Sequence, residues 1–176
     1  MRYHLDAALL VRDFKADPAC ALHSAVLHGD FPHIRNLLVF GFNIDQQQLA
    51  YRNRRFEKCG TALHVAIWFD QAAAFELLFV HGADLEVLDE GEYSRPTDTP
   101  IRLAVRLVRR AMFKRLWDAR VDPDKYSPNM VGASNRSLIE VAAGEGQAEI
   151  LGDLLDWKKD WTQDQRINAL YMASKQ

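Results

Sequence analysis

Apolar positions along the chain recur in blocks that pair small side chains with large ones. Ala25, Ala66, Ala104 and Ala142 sit in short apolar segments. Larger residues follow the first three: Ile34, Leu37 and Leu38, then Phe75 and Leu78, then Phe113 and Leu116. The small residues let neighbouring helices approach closely and the large ones supply buried volume, so each unit hides its apolar face only by stacking on the next. The pattern predicts helix pairs at about 18–28 and 31–40, 61–69 and 72–81, 98–107 and 110–119, and 136–144 and 147–157. A first helix near 4–14 and a last one near 162–174 flank them, with bounds good to about two to four residues. Thr61, Asp98 or Thr99, and Ser137 can accept hydrogen bonds from the free N–H groups of a first turn. Pro18 and Pro100 stand where a helix start tolerates a residue without an N–H.

Sliding the sequence against itself exposes the period. Cys20-Ala-Leu-His-Ser-Ala25 returns as Thr61-Ala-Leu-His-Val-Ala66, as Thr99-Pro-Ile-Arg-Leu-Ala104, as Ser137-Leu-Ile-Glu-Val-Ala142, and finally as Asn168-Ala-Leu-Tyr-Met-Ala173. Downstream, Leu37-Leu38 with Gly41 matches Leu77-Leu78-Phe79 with Gly82-Ala83-Asp84. The third copy has Leu116-Trp117 and Arg120 at the glycine position, and the fourth departs at Trp157-Lys158-Lys159 after Leu154-Leu155.

These segments resemble the TPLHxA signature of ankyrin repeats over Cys20 to Ala173. The resemblance implies an all-α solenoid of stacked helix-turn-helix pairs with finger loops. Successive copies start 41, 38, 38 and 31 residues apart, against roughly 33 for the family, so the first three fingers are long. The expected organisation is a single repeat domain over 1–176. A capping helix occupies 1–16, repeats occupy 17–59, 60–97, 98–135 and 136–161, and 162–176 forms a C-terminal helix or partial fifth repeat. Gln163, Asp164, Gln165 and Arg166 suit a polar cap, whereas apolar surface at the last helix would suit a continuing array. The family histidines fall at His23 and His64, and the resemblance implies that they hydrogen-bond backbone near the turn and stiffen it.

Charge and composition narrow the partners. The chain carries 22 basic and 24 acidic residues for a formal net charge of −2, which argues against general binding to nucleic acid or anionic membrane. Arg52, Arg54, Arg55 and Lys58 mark the first finger, and Arg106, Arg109, Arg110, Lys114 and Arg115 the third helix pair. Asp84, Glu86, Asp89, Glu90 and Glu92 answer them on the second finger, so these runs read as solvated surface. Cys20 and Cys59 lack disulfide or CxxC spacing and read as reduced thiols. With no secretory leader pattern and no apolar run near the roughly 18 residues of a membrane span, a cytoplasmic or nuclear location is expected.

No HExxH, GxxxxGK[ST], GxGxxG or GxSxG pattern occurs, so neither enzyme activity nor a cofactor or metal is expected. His28, Asp30 and His33 form the least implausible polar cluster, and solvated turn residues are its simpler reading. Cations near Cys59 could activate its thiol, but it has no base partner.

The resemblance implies that the two positions after the motif's Ala-x lie on a concave face. Those positions hold Leu27 and His28, Trp68 and Phe69, Arg106 and Leu107, and Gly144 and Glu145. Trp and Arg are enriched among residues that carry protein–protein binding energy, so Leu27, His28, Trp68, Phe69, Arg106 and Leu107 are the expected partner-binding residues. The competing reading folds Trp68 and Phe69 under the second finger as private core. A protein-interaction module binding a partner protein, itself a monomer, is the expected function. The alternatives are an enzyme or small-ligand binder on the same scaffold, or the recognition arm of a larger protein.

Overall fold

The computed structural model describes residues 20–52, 55–89, 98–123 and 136–175. The expected 4–14 helix and most of the second and third fingers lie outside them. Four helix pairs follow in order: α1 (Ala21–His28) with α2 (Phe31–Val39), α3 (Ala62–Trp68) with α4 (Ala72–Val80), α5 (Pro100–Arg106) with α6 (Arg110–Asp118), and α7 (Leu138–Gly144) with α8 (Ala148–Trp157). A final helix, α9, spans Gln163–Ala173. The helical repeat solenoid is the architecture the repeat predicts. The first finger, expected as a loop, contains an antiparallel hairpin, β1 (Gln48–Arg52) and β2 (Arg55–Gly60), whose second strand includes Cys59.

Each pair closes through the same turn. The amide of Asp30, Gln71, Arg109 or Gln147 donates to the carbonyl of Ala25, Ala66, Ala104 or Ala142 at 2.8–2.9 Å, so the motif alanine both admits the neighbouring helix and anchors the turn. The turn needs a left-handed residue, supplied by Gly29, Asp70, Val108 and Gly146 at φ of 56–69°. Val108 is β-branched and pays roughly 1–2 kcal/mol for that conformation. After the second helices the same requirement falls on Gly41, Gly82 and Arg120, which is why the third copy keeps its shape without its glycine.

Helix starts follow the polar residues picked from the sequence, with Thr61, Thr99 and Ser137 in the extended cap position. Asp98 instead precedes the cap and serves another purpose. At Ser137 the backbone N–H donates to Glu140 Oε2 at 3.0 Å, and Thr162 and Gln165 form a full reciprocal box at 3.0 and 3.2 Å.

The core is one row of buried side chains running through all the repeats, with Leu22, Leu63, Ile101 and Ile139 from the first helices and Ile34, Phe75, Phe113 and Leu154 from the second. Phe113 stacks on Trp157 at 5.6 Å and 16°, and Trp117 closes the triangle at 6.0 and 5.7 Å, joining the third repeat to the fourth.

Candidate protein-binding face and its inter-repeat ladder

The fourth position of the motif carries a side chain that reaches from one repeat to the next. His23 Nε2–H donates to the Gly60 carbonyl at 3.1 Å, His64 Nε2–H to the Asp98 carbonyl at 3.3 Å, and Arg102 Nη1 to the Arg136 carbonyl at 2.6 Å. Glu140 Oε1 accepts from Asn168 Nδ2 at 3.0 Å. The first three acceptors immediately precede the next copy of the motif, so each bond fixes the register of stacking. His64 Nδ1 accepts from the Thr61 N–H at 3.2 Å, which sets its tautomer and ties the same ring to its own helix start. The two histidines stiffen the array as the resemblance implies, and Arg102 and Glu140 continue the role where the histidine is lost.

Burial pushes the His23 imidazole down to about 4 from 6.5, opposed in part by its bond to Gly60. A histidine held neutral in the fold adds stability that is complete above about pH 6.5 and is lost as pH falls toward 4. The contribution is roughly 3 kcal/mol. Urea unfolding across that window should show the loss, and His23→Gln, whose amide can still donate to Gly60, should flatten the slope. An unchanged slope in the variant would refute the assignment.

The row of positions after the first helices is the face on which the sequence placed binding. Leu27 is 8% exposed and belongs to the core. His28 is exposed, with Nδ1 donating to the Ser24 carbonyl at 2.7 Å. Trp68, Phe69 and Leu107 are half-buried, each resting on the core with part of its surface open. Arg106 is held inside: Nε and Nη2 reach the two oxygens of Asp98 at 2.8 and 3.1 Å, and Nη1 reaches Glu145 Oε1 at 3.1 Å. Its side chain is 9% exposed. Arg102 Nε stands 3.7 Å from the same Asp98, so one carboxylate serves two guanidinium groups.

Two further side chains, Gln71 and Arg109, fasten this row, Arg109 coming from the basic run expected to be solvated surface. Gln71 Nε2 donates to the Leu27 carbonyl at 3.4 Å, and Arg109, at the same register one repeat on, donates to the Ile67 and Trp68 carbonyls at 3.2 and 3.4 Å and pairs with Asp70 at 3.1 Å. Their shared place in the repeat was the available signal. Asp98, read as a candidate cap, lies four and eight residues before its two arginines on α5.

The basic run of the third pair is answered by ion pairs with neighbouring repeats. Arg110 meets Glu149 and Asp153 at 2.8 Å, and Arg115 meets Glu76 at 3.2 Å while its guanidinium lies 3.9 Å over the Phe79 ring. The hydrogen bond from Arg110 holds the Asp153 carboxyl below the usual range. The polar cluster near the first turn does not converge: Asp30 accepts from the His33 N–H at 3.1 Å as the cap of α2, while His28 faces Ser24. Among the described residues no group of three His, Cys, Asp or Glu could hold a metal, and no helix is long and apolar enough to cross a membrane.

No family model and no curated protein matches the sequence. Solved structures do match. The human ASB11 ankyrin repeat domain superposes over 88% of this chain with a TM-score of 0.62 at 22% identity, and the chain spans 62% of that domain's length. The protein has the ankyrin-repeat fold.

Proposed function

We propose that the protein is a protein-interaction module, holding a partner polypeptide along the row that follows the first helices and against the fingers beside it. The supporting observation is preorganisation. His28, Trp68, Phe69 and Leu107 sit on turns locked by Gln71, Arg109 and the inter-repeat ladder, so little ordering entropy opposes binding. Trp68, Phe69 and Leu107 keep apolar surface partly open, and a partner would complete its burial. Leu27 and Arg106 shape this surface from beneath, and Glu145, exposed and joined to Arg106, lends it a negative edge.

Affinity capture with the intact chain, a Trp68→Ala/Leu107→Ala variant and an Ala73→Arg control on the exposed side of α4 tests the reading. Proteins retained by the intact chain and the control but lost by the folded double variant are expected. Equal retention by all three would place binding elsewhere.

A further inference from the structure

The left-handed place in the turn between paired helices is filled differently from repeat to repeat. Gly29 and Gly146 carry no side chain there and Asp70 a short polar one, all suited to positive φ. Val108 suits it least. A β-branched side chain is strained at its φ of 61°, and this one is 55% exposed, so the fold gains little buried apolar area from keeping it.

Val108 stands in the binding row proposed above, and the inference rests on that reading. Its neighbour Arg109 reaches the preceding turn, donating to the Ile67 and Trp68 carbonyls at 3.2 and 3.4 Å and to Asp70 Oδ2 at 3.1 Å. The exposed valine and the half-buried Leu107 therefore lie one repeat along from the half-buried Trp68 and Phe69.

Charge completes the pattern. The arginines of this row turn inward, with 9% of the Arg106 side chain and 26% of Arg109 exposed. Their carboxylate partners stay outside, Asp70 at 57% and Glu145 at 39%. Each is held through one oxygen, Asp70 Oδ2 and Glu145 Oε1, which leaves the second for a ligand. Across three successive repeats the accessible order is acid, aliphatic, acid: Asp70, Val108, Glu145. Packed helices lie roughly 8–10 Å apart, a step that an extended chain covers in about three residues.

We infer that the partner segment is basic with an aliphatic anchor. Its branched aliphatic side chain rests on Val108 and Leu107, and Lys or Arg about three residues to either side reaches Asp70 and Glu145. Val108 is the specificity-determining contact, because it offers open apolar surface at a turn where glycine would fold with less strain.

Selection of a displayed random-peptide library on the full chain, followed by anisotropy titration of a labelled selected peptide, tests the inference. Enriched peptides are expected to carry an aliphatic residue between Lys or Arg, and to bind more weakly as salt rises. Val108→Gly should unfold in urea at the same midpoint or a higher one, yet bind the selected peptide roughly tenfold more weakly. Asp70→Asn, which also tolerates positive φ, should weaken binding about threefold and flatten its salt dependence. A Val108→Gly chain less stable than the intact one would overturn the inference by giving the valine a role in folding. Selected peptides without cations would overturn it as well. So would peptides that bind Val108→Gly as tightly as the intact chain but are lost by Trp68→Ala/Leu107→Ala, an outcome that leaves the row to a partner of another chemistry. Peptides indifferent to both variants, or no enrichment over empty resin, would overturn the inference together with the function proposed above.

Discussion

Replacing Asp98 by alanine is expected to destabilise the protein by about 3–5 kcal/mol, because it removes a buried carboxylate from the side chains it neutralises. Asp98 is 4% exposed and stands just before α5, where its oxygens meet Arg106 at 2.8 and 3.1 Å and Arg102 at 3.7 Å. Arg102 is completely buried, so its charge cannot turn to water when the carboxylate is gone. The Asp98 carbonyl, which receives His64, survives the substitution, so the loss reports on the side chain alone. Asp98→Asn keeps an acceptor without the charge and should fall between. Urea unfolding with an unchanged m-value would measure both, and a loss below about 1 kcal/mol for alanine would show that this cluster contributes little.

Phe113→Ala should lose a comparable amount, about 3–5 kcal/mol, for a different reason. The ring is fully buried in α6 and touches both Trp117 and Trp157, so its removal opens a cavity at the junction of the third and fourth repeats. Two of the four tryptophans of the chain flank that cavity, and a shift in native-state emission should accompany the fall in stability. Full retention of both stability and emission would mean that the junction is held elsewhere.

The helix pairs were legible because their signals are local. Thr61, Thr99 and Ser137 mark starts, the alanines mark the inner face, and the observed bounds fall within about three residues of those read from the pattern, the largest difference being the start of α1 at Ala21. The hairpin of the first finger was not, since Gln48–Arg52 and Arg55–Gly60 are rich in polar and charged residues and lack an Asn-Gly or Asp-Gly turn. The fate of Arg106 was equally hidden. Its partners lie 8 residues back and 39 ahead, and only the stacked fold brings them to one guanidinium. Trp68 and Phe69 rest on the core with part of their surface open. The structural equivalence of Arg102 and Glu140 to the histidines was present in the register of the motif and became meaningful only once each was seen to span a repeat boundary.

The four links between repeats differ in chemistry: two imidazoles, a guanidinium and a carboxylate. In a stack where each unit leans only on its neighbours, that gives the array a direction. Acid charges the buried His23 at the Cys20 end, while the guanidinium of Arg102 keeps the same charge throughout the same range. Protonation therefore weakens the array at the link from His23 to the Gly60 carbonyl, at the Cys20 end of the described residues.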